Sequence, residues 1–324
     1  MTTSVPPPGF PDPEPVRFEL PPAPRDLRPL VKIGAAATAV IIVAVIAFVV
    51  LGGSSNGGVD PVAQAAVVRA ATTSVTSPGY EMRMSMLLSS PGIPTPITAS
   101  GTGTFDGRTH SGSISMAMSV GNVPQLTQAL GSSTFDMQEI VAGTTVYMKL
   151  PAAAVHALPL GGKPWFSVNL ANVKGMSGLS SLLSNPTSSN PAQFLQYLRA
   201  ESDSITTIGR EQVDGVMTTH YHVDLNFDRA ANAVPAGERA AVQQIISMVE
   251  QATHLHHIPA DVWVDGQHLV RRMTMTITVP ASSGVSLNEQ MTIDFVHYGP
   301  EPATAPPPAS QVTDLSQVLS AAGG

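Results

Sequence analysis

The sequence predicts an α+β protein: a strongly curved antiparallel sheet, a half-barrel with helices on its concave face, preceded by one transmembrane helix. Three observations carry this expectation. Period-two alternation of apolar and polar residues returns many times between residues 80 and 298, as strands with one wet face require. Helical periodicity interrupts the alternation at only two places instead of following each strand, which selects α+β over a parallel wound sheet. Ile33 to Leu51 is a run of nineteen residues without a charge.

Before that run, Pro6-Pro7-Pro8, Pro11, Pro13, Pro15, Pro21-Pro22 and Pro24 prevent helix and favour an extended, solvated tail over residues 1–32. Residues 33–51 as a helix extend about 28 Å, the thickness of a bilayer core. A cleaved signal peptide is the rival, and Gly52-Gly53-Ser54-Ser55 supplies small residues for it. Its apolar core is shorter, however, about 7–15 residues close to the N-terminus, so an uncleaved anchor is the reading followed. Arg17, Arg25, Arg28 and Lys32 precede the span, and the first basic residue after it is Arg69. The positive-inside bias then puts the N-terminus in the cytoplasm and the remainder outside the cell membrane. Residues 52–58 form a flexible linker. A second low-complexity stretch begins after Pro300, with Pro302 and Pro306-Pro307-Pro308. Residues 301–324 are expected as a Pro-rich tail, with a helical turn or two in Gln311 to Leu319. The folded unit is residues 59–300, long enough to bury a real core.

Within it, Asp60-Pro61 followed by Val62, Ala65, Ala66, Val67 and Ala70 reads as an N-cap, a Pro at the first helical position and an apolar stripe, in a helix to about Ser77. Tyr80 to Met86 alternates strictly, with three methionines on one face. Further strands are expected at Gly101 to Asp106, Ser111 to Val120, Met137 to Val141 and Thr145 to Leu150. Ser204 to Arg210 and Val216 to Asp228 are joined through Val213-Asp214-Gly215, and Val262 to Asp265 and Leu269 to Val279 through Asp265-Gly266; Asp-Gly is a strong tight-turn signal. Ser286 to Tyr298 completes the meander. The remaining helices are Pro191 to Arg199, with Phe194, Leu195 and Leu198 on one side, and Pro235 to Thr253, with Val242, Ile245, Ile246 and Val249 at helical spacing. Leu170 to Asn190, rich in Ser, Gly and Asn, suits a mobile flap or a variable surface loop.

Methionine is the informative residue type. Fourteen occur, and many fall in phase on strands. Met is unbranched and polarizable, so it suits surfaces that adapt to a variable guest. Two readings of this face stand side by side: a core packed with Met in place of Leu, and the wall of an apolar cavity. Aromatic residues make up only 5% of the chain, which leaves little volume to fill a curved sheet. On the cavity reading the lining residues are Met82, Met84, Met86, Met116, Met118, Val146, Met148, Met273, Met275, Ile277, Met291 and Ile293. Each methylene removed from water contributes about 0.8 kcal/mol, so a sixteen-carbon chain gains about 13 kcal/mol on entering such a cavity.

The order of segments resembles the mycobacterial LppX/LprG-type lipoprotein family and, more distantly, the LolA-like lipid carriers. The residues that carry the resemblance are the first helix, Gly101-Thr102-Gly103-Thr104-Phe105-Asp106, and Val141 to Lys149 leading to Lys163-Pro164-Trp165-Phe166. Gly209-Arg210-Glu211-Gln212-Val213-Asp214-Gly215-Val216 and Pro259-Ala260-Asp261-Val262-Trp263-Val264-Asp265 follow. The resemblance spans about Val59 to Tyr298 and contains no catalytic signature. It implies a half-barrel with helices enclosing an apolar cavity for acylated lipid or glycolipid. The chain departs from the family in its anchor: it has no cysteine, hence no lipobox, and a membrane helix stands in that place.

Other chemistries find little support. Zero cysteine excludes a disulfide scaffold, a thiol nucleophile and Cys-ligated metals. A net charge of -7 with scattered basic residues offers no stripe for a phosphate backbone, so nucleic acid is not an expected partner. His254-Leu255-His256-His257 and the pair His220 and His222 each fall short of the three or four converging ligands zinc requires, and read as surface histidines. No Gly-x-Ser-x-Gly elbow, Walker loop or dinucleotide fingerprint is present, and no carboxylate pair stands out as acid and base. No catalytic residue, metal or cofactor is expected. The function expected is a membrane-tethered extracytoplasmic protein that holds acylated lipid by burial alone. The alternative is an envelope sensor or interaction module that reports through the anchor and the Pro-rich tail.

Overall fold

The computed structural model describes residues 60–91, 95–121, 123, 127–128, 131–149, 151, 155, 162–169, 202–226, 243, 247, 250, 255–279 and 286–315. The expected tail, membrane span and linker lie outside these residues, as do the 191–199 helix and the 170–190 loop. Of the 235–253 helix, only Gln243, Ser247 and Glu250 are described, and each is helical. Among the described residues no helix is long and apolar enough to cross a membrane.

The one complete helix described, α1, runs Pro61–Val75. Asp60 caps it as its spacing predicts, its Oδ1 accepting from the Val62 amide at 2.9 Å, with Pro61 in the first turn. Its buried stripe is Ala63, Val67, Ala70, Ala71 and Ser74. Val62, expected on that stripe, is 76% exposed, and Ala65 is also exposed. The small residues Ala63 and Ala70 let the helix backbone approach the sheet, and that rotates the larger Val62 outward.

Eleven strands follow before residue 300: β1 Gly79–Ser89, β2 Ile97–Asp106, β3 Ser111–Ser119, β4 Thr134–Ala142, β5 Thr145–Lys149, β6 Trp165–Asn169, β7 Ser202–Val213, β8 Val216–Asn226, β9 His257–Asp265, β10 Val270–Val279 and β11 Leu287–Tyr298. A twelfth, β12 Val312–Asp314, follows a 3-10 turn at Ala309–Gln311. They form one large, open, curved sheet in the order β12-β6-β5-β4-β3-β2-β1-β11-β10-β9-β8-β7. Every pair is antiparallel except β12 with β6.

This order is not the single meander that the strand spacing predicts. The chain lays down β1 to β6 toward one edge, resumes at the opposite edge with β7, and returns so that β11 pairs with β1. The β7–β8 turn is as expected: Asp214 and Gly215 both have positive φ, +48° and +84°, as a two-residue hairpin with right-handed strand twist demands. The β9–β10 turn is longer, from Gly266 to Leu269, with His268 at φ +60°. The Asp265 carboxylate organises it, accepting from the amides of Gln267 and Leu269 at 2.8 and 2.9 Å and from Arg271 Nε at 2.7 Å.

β6 and β12 have no counterpart in the expected strands. The sheet therefore takes in residues beyond the 59–300 unit, and Val312–Asp314 is a strand where a helical turn was expected. Several bonds hold this C-terminal segment: Gly299 N donates to Gly79 O at 3.0 Å, Thr304 N to Ser111 Oγ at 3.0 Å, Lys163 Nζ to Val312 O at 2.9 Å, and Leu315 N to Ser167 O at 2.9 Å. Proline does not oppose such a strap, because an extended run needs no internal hydrogen bonds. On β6, beside Val312, Trp165 is buried to 8% exposure, with Lys149 Nζ 5.9 Å from its ring.

Candidate functional site

Strand alternation sorts side chains onto two faces. On β1 the inner set is Tyr80, Met82, Met84, Met86 and Leu88, and the exposed outer set is Glu81, Arg83, Ser85 and Leu87. Register extends the inner face across the sheet. Met82 stands opposite Gly103 and Phe295, Met84 opposite Gly101 and Ile293, and Met86 opposite Ala99 and Met291. Gly101 in turn faces Met116, and Ala99 faces Met118. Met273 pairs with Ile293 and Met275 with Met291. Val146 and Met148 stand opposite Val141 and Glu139. All twelve residues read from the sequence as cavity lining thus lie on one face of one sheet.

That face is not uniform. α1 packs on β7, β9 and β10, and its Ala63, Val67 and Ala70 join Ile205, Val223, Ile258, Ala260, Val262, Met273, Met275, Ile277 and Met291 in one buried core. There Met273 and Met275 are each 1% exposed, and this part matches the reading of Met as core. Met82, Met84, Met118 and Ile293 only border that core and are half-buried. Over β3 to β6, Ile114, Met137, Val146, Met148, Phe166 and Val168 are half-buried as well, outside the closed core. Met86 and Met116 are buried at 8% exposure each.

Methionine fills space that glycine leaves in β2. A Cβ on Gly103 would come 2.8 Å from Met82 Cε, and one on Gly101 would come 2.7 Å from Met116 Cγ and 2.2 Å from the Ser115 carbonyl oxygen. The flexible thioethers therefore lie against bare backbone, an arrangement that suits an adaptable surface. One end of the inner face is closed by aromatic rings. Tyr80 stacks on Phe105 at 5.4 Å and meets Phe295 edge-on at 5.4 Å, and Phe295 stacks on Tyr298 at 5.7 Å. Burial pushes the Tyr80 hydroxyl up to about 12 and the Tyr298 hydroxyl upward too. Tyr298 donates to Val270 O at 2.6 Å, and the Val270 amide donates to Ser74 Oγ at 2.9 Å, tying α1 to the sheet.

Two inner-face residues are carboxylic acids, and neither was among the expected site residues. Glu139 on β4 lies between Ile114 and Met148, and burial raises its pKa. Glu289 on β11 lies between Leu88 and Ile277, is 1% exposed, and has no hydrogen-bond partner at either oxygen. Burial pushes its carboxyl up to about 7. The sequence did carry a signal for both: each occupies an apolar phase of an alternating run, Phe135-Met137-Glu139-Val141 and Leu287-Glu289-Met291-Ile293.

The outer face holds the charge. Arg83 pairs with Asp214 of the β7–β8 turn and Arg272 with Asp294 at 2.5 Å. His220 lies between Glu211 and Asp261 at 2.9 and 3.0 Å and stacks on Trp263 at 4.2 Å. Trp263 donates to Glu211, and His222 shares Asp261 at 3.0 Å. The two strand histidines are thus tied to a common carboxylate, and among the described residues no group of three could hold a metal ion.

No protein-family model matches the chain, and no curated protein does. Among solved structures it is similar to LprF from Mycobacterium bovis, at 15% identity and a TM-score of 0.41, covering 78% of this chain and 100% of that one. It is similar to the Mycobacterium tuberculosis lipoprotein LppX at 12% identity and a TM-score of 0.41, covering 76% of this chain and 100% of that one. A DUF1329 family protein from Desulfovibrio piger follows at 13% identity and a TM-score of 0.25, over 76% and 95%.

Proposed function

We propose that this chain holds the acyl part of a membrane lipid or acylated glycolipid against the inner face of its sheet, by burial and without covalent chemistry. One observation carries the reading. Among the described residues α1 packs on the inner face over β7, β9 and β10, whereas the wall formed by Met82, Met84, Met118, Ile114, Met137, Val146, Met148, Phe166 and Val168 is half-buried. Contiguous apolar surface of this kind marks a place where something else binds. In this proposal the domain works on the extracytoplasmic side of the cell membrane, tethered through residues 33–51, and passes lipid over short range.

The test is native mass spectrometry of the full chain purified from a lipid-rich actinobacterial host. The expected result is one acyl lipid retained per chain, lost in Ile114→Trp and Met148→Trp variants that fill the half-buried wall. A chain that emerges empty, or lipid that survives both substitutions, would overturn the proposal.

A further inference from the structure

Glu289 is the feature that an acyl-binding wall does not account for. Burying a carboxyl group without a hydrogen bond costs several kcal/mol, and native chains rarely leave such a group unpaired. Here both oxygens are unpaired and the side chain is 1% exposed. Its neighbours across the strands are Leu88 and Ile277, and beyond Leu88 the same row continues through Ile97, so no side chain of opposite charge faces it from the strands beside it. The position is at the rim of the sheet: Glu289 is the third residue of β11, Leu88 the next to last of β1 and Ile97 the first of β2. From that rim the inner positions of β1 lead back through Met86 and Met84 to Met82. That is six residues or about 20 Å, the order of an extended sixteen-carbon chain.

We propose that Glu289 is the polar recognition point of the inner face, taking the O–H or N–H donor of a guest that is otherwise apolar. This rests on the acyl-binding reading and specifies it: the lipid class is one bearing a hydroxyl or amide hydrogen within reach of its chain. When ionised, above about pH 7, the carboxylate only accepts, so there it rewards a donor and rejects an ether, which can only accept. Its anionic form also repels phosphate and carboxylate heads.

The experiment uses the full chain at about pH 9, above the value of about 7 at which the carboxyl ionises, with two probes, 1-hexadecanol and hexadecyl methyl ether, which differ in one donor hydrogen. The wild-type protein is expected to prefer the alcohol at least tenfold in competition read by native mass spectrometry. Glu289→Gln both donates and accepts, so it takes either probe and loses most of the preference. Glu289→Leu equalises the two probes within about twofold while still binding the ether. Equal affinities in the wild type, or a preference that persists in Glu289→Leu, would sink the assignment and leave acyl binding intact. Failure of the wild type to bind either probe would sink the acyl-binding reading and this one with it. The wild-type comparison decides the matter even if the leucine variant does not fold.

Discussion

The buried carboxyl of Glu289 makes stability depend on pH in a direction opposite to that of most acidic residues. Its folded value is about 7, above the ordinary 4.5. Between those values the folded chain keeps a proton that the unfolded chain has released, so stability falls as pH rises through this window and levels off above it. The full effect is about 3 kcal/mol. Urea unfolding at pH 5 and pH 8 is expected to show this loss in the wild type and its absence in Glu289→Gln; parallel pH profiles for the two proteins would refute it. Asp265, unlike Glu289, is fully paired: two amides of its turn and the Arg271 guanidinium of β10 donate to its carboxylate. Asp265→Ala leaves those donors unpaired and is expected to cost about 2–3 kcal/mol, read as a lower denaturant midpoint with an unchanged slope.

At the scale of elements, the β2 glycines and the C-terminal strap make separable predictions. Gly101→Val places a branched side chain where even a Cβ comes within 2.2 Å of backbone oxygen. Overpacking of this kind costs about 1–3 kcal/mol, and thermal denaturation should register it as a lower midpoint. Truncation after residue 308 removes β12 together with the Lys163 and Leu315 bonds. That uncovers the β6 edge and Trp165, so red-shifted tryptophan emission and a lower unfolding midpoint are expected; unchanged emission would mean that the strap does not shield the ring. The Asp60 cap, the Asp214-Gly215 hairpin and the alternation in β1, β3, β10 and β11 were all legible in the sequence, because local chemistry decides them. β6 and β12 were not: one is five residues long, the other follows a proline run, and both are held by partners distant in the chain.

For the molecule as a whole, the question is how an inner face of nearly uniform composition divides into a closed core and an open wall. Met273 and Met148 are the same residue type on the same face. Met273 is 1% exposed beneath α1, whereas Met148 is half-buried on β5. Met273→Ala should therefore cost about 2–5 kcal/mol through the cavity it leaves, and Met148→Ala less than about 1 kcal/mol while weakening acyl binding. Equal stability losses at the two positions in chemical denaturation would show that the face is one continuous core, and the proposed function would fail with that division.

Sequence by itself determined which residues share a face, because alternation along a strand is a property of the strand alone: all twelve methionine and aliphatic positions assigned to the apolar face lie on it. Only the tertiary structure decided which of them are sealed. That depends on the pairing of β1 with β11, on the jump of the chain from β6 to the far edge at β7, and on the place where the small residues of α1 settle. Each is a contact between segments far apart in the chain. A local pattern of apolar and polar residues is equally satisfied whether the face meets a helix or a guest.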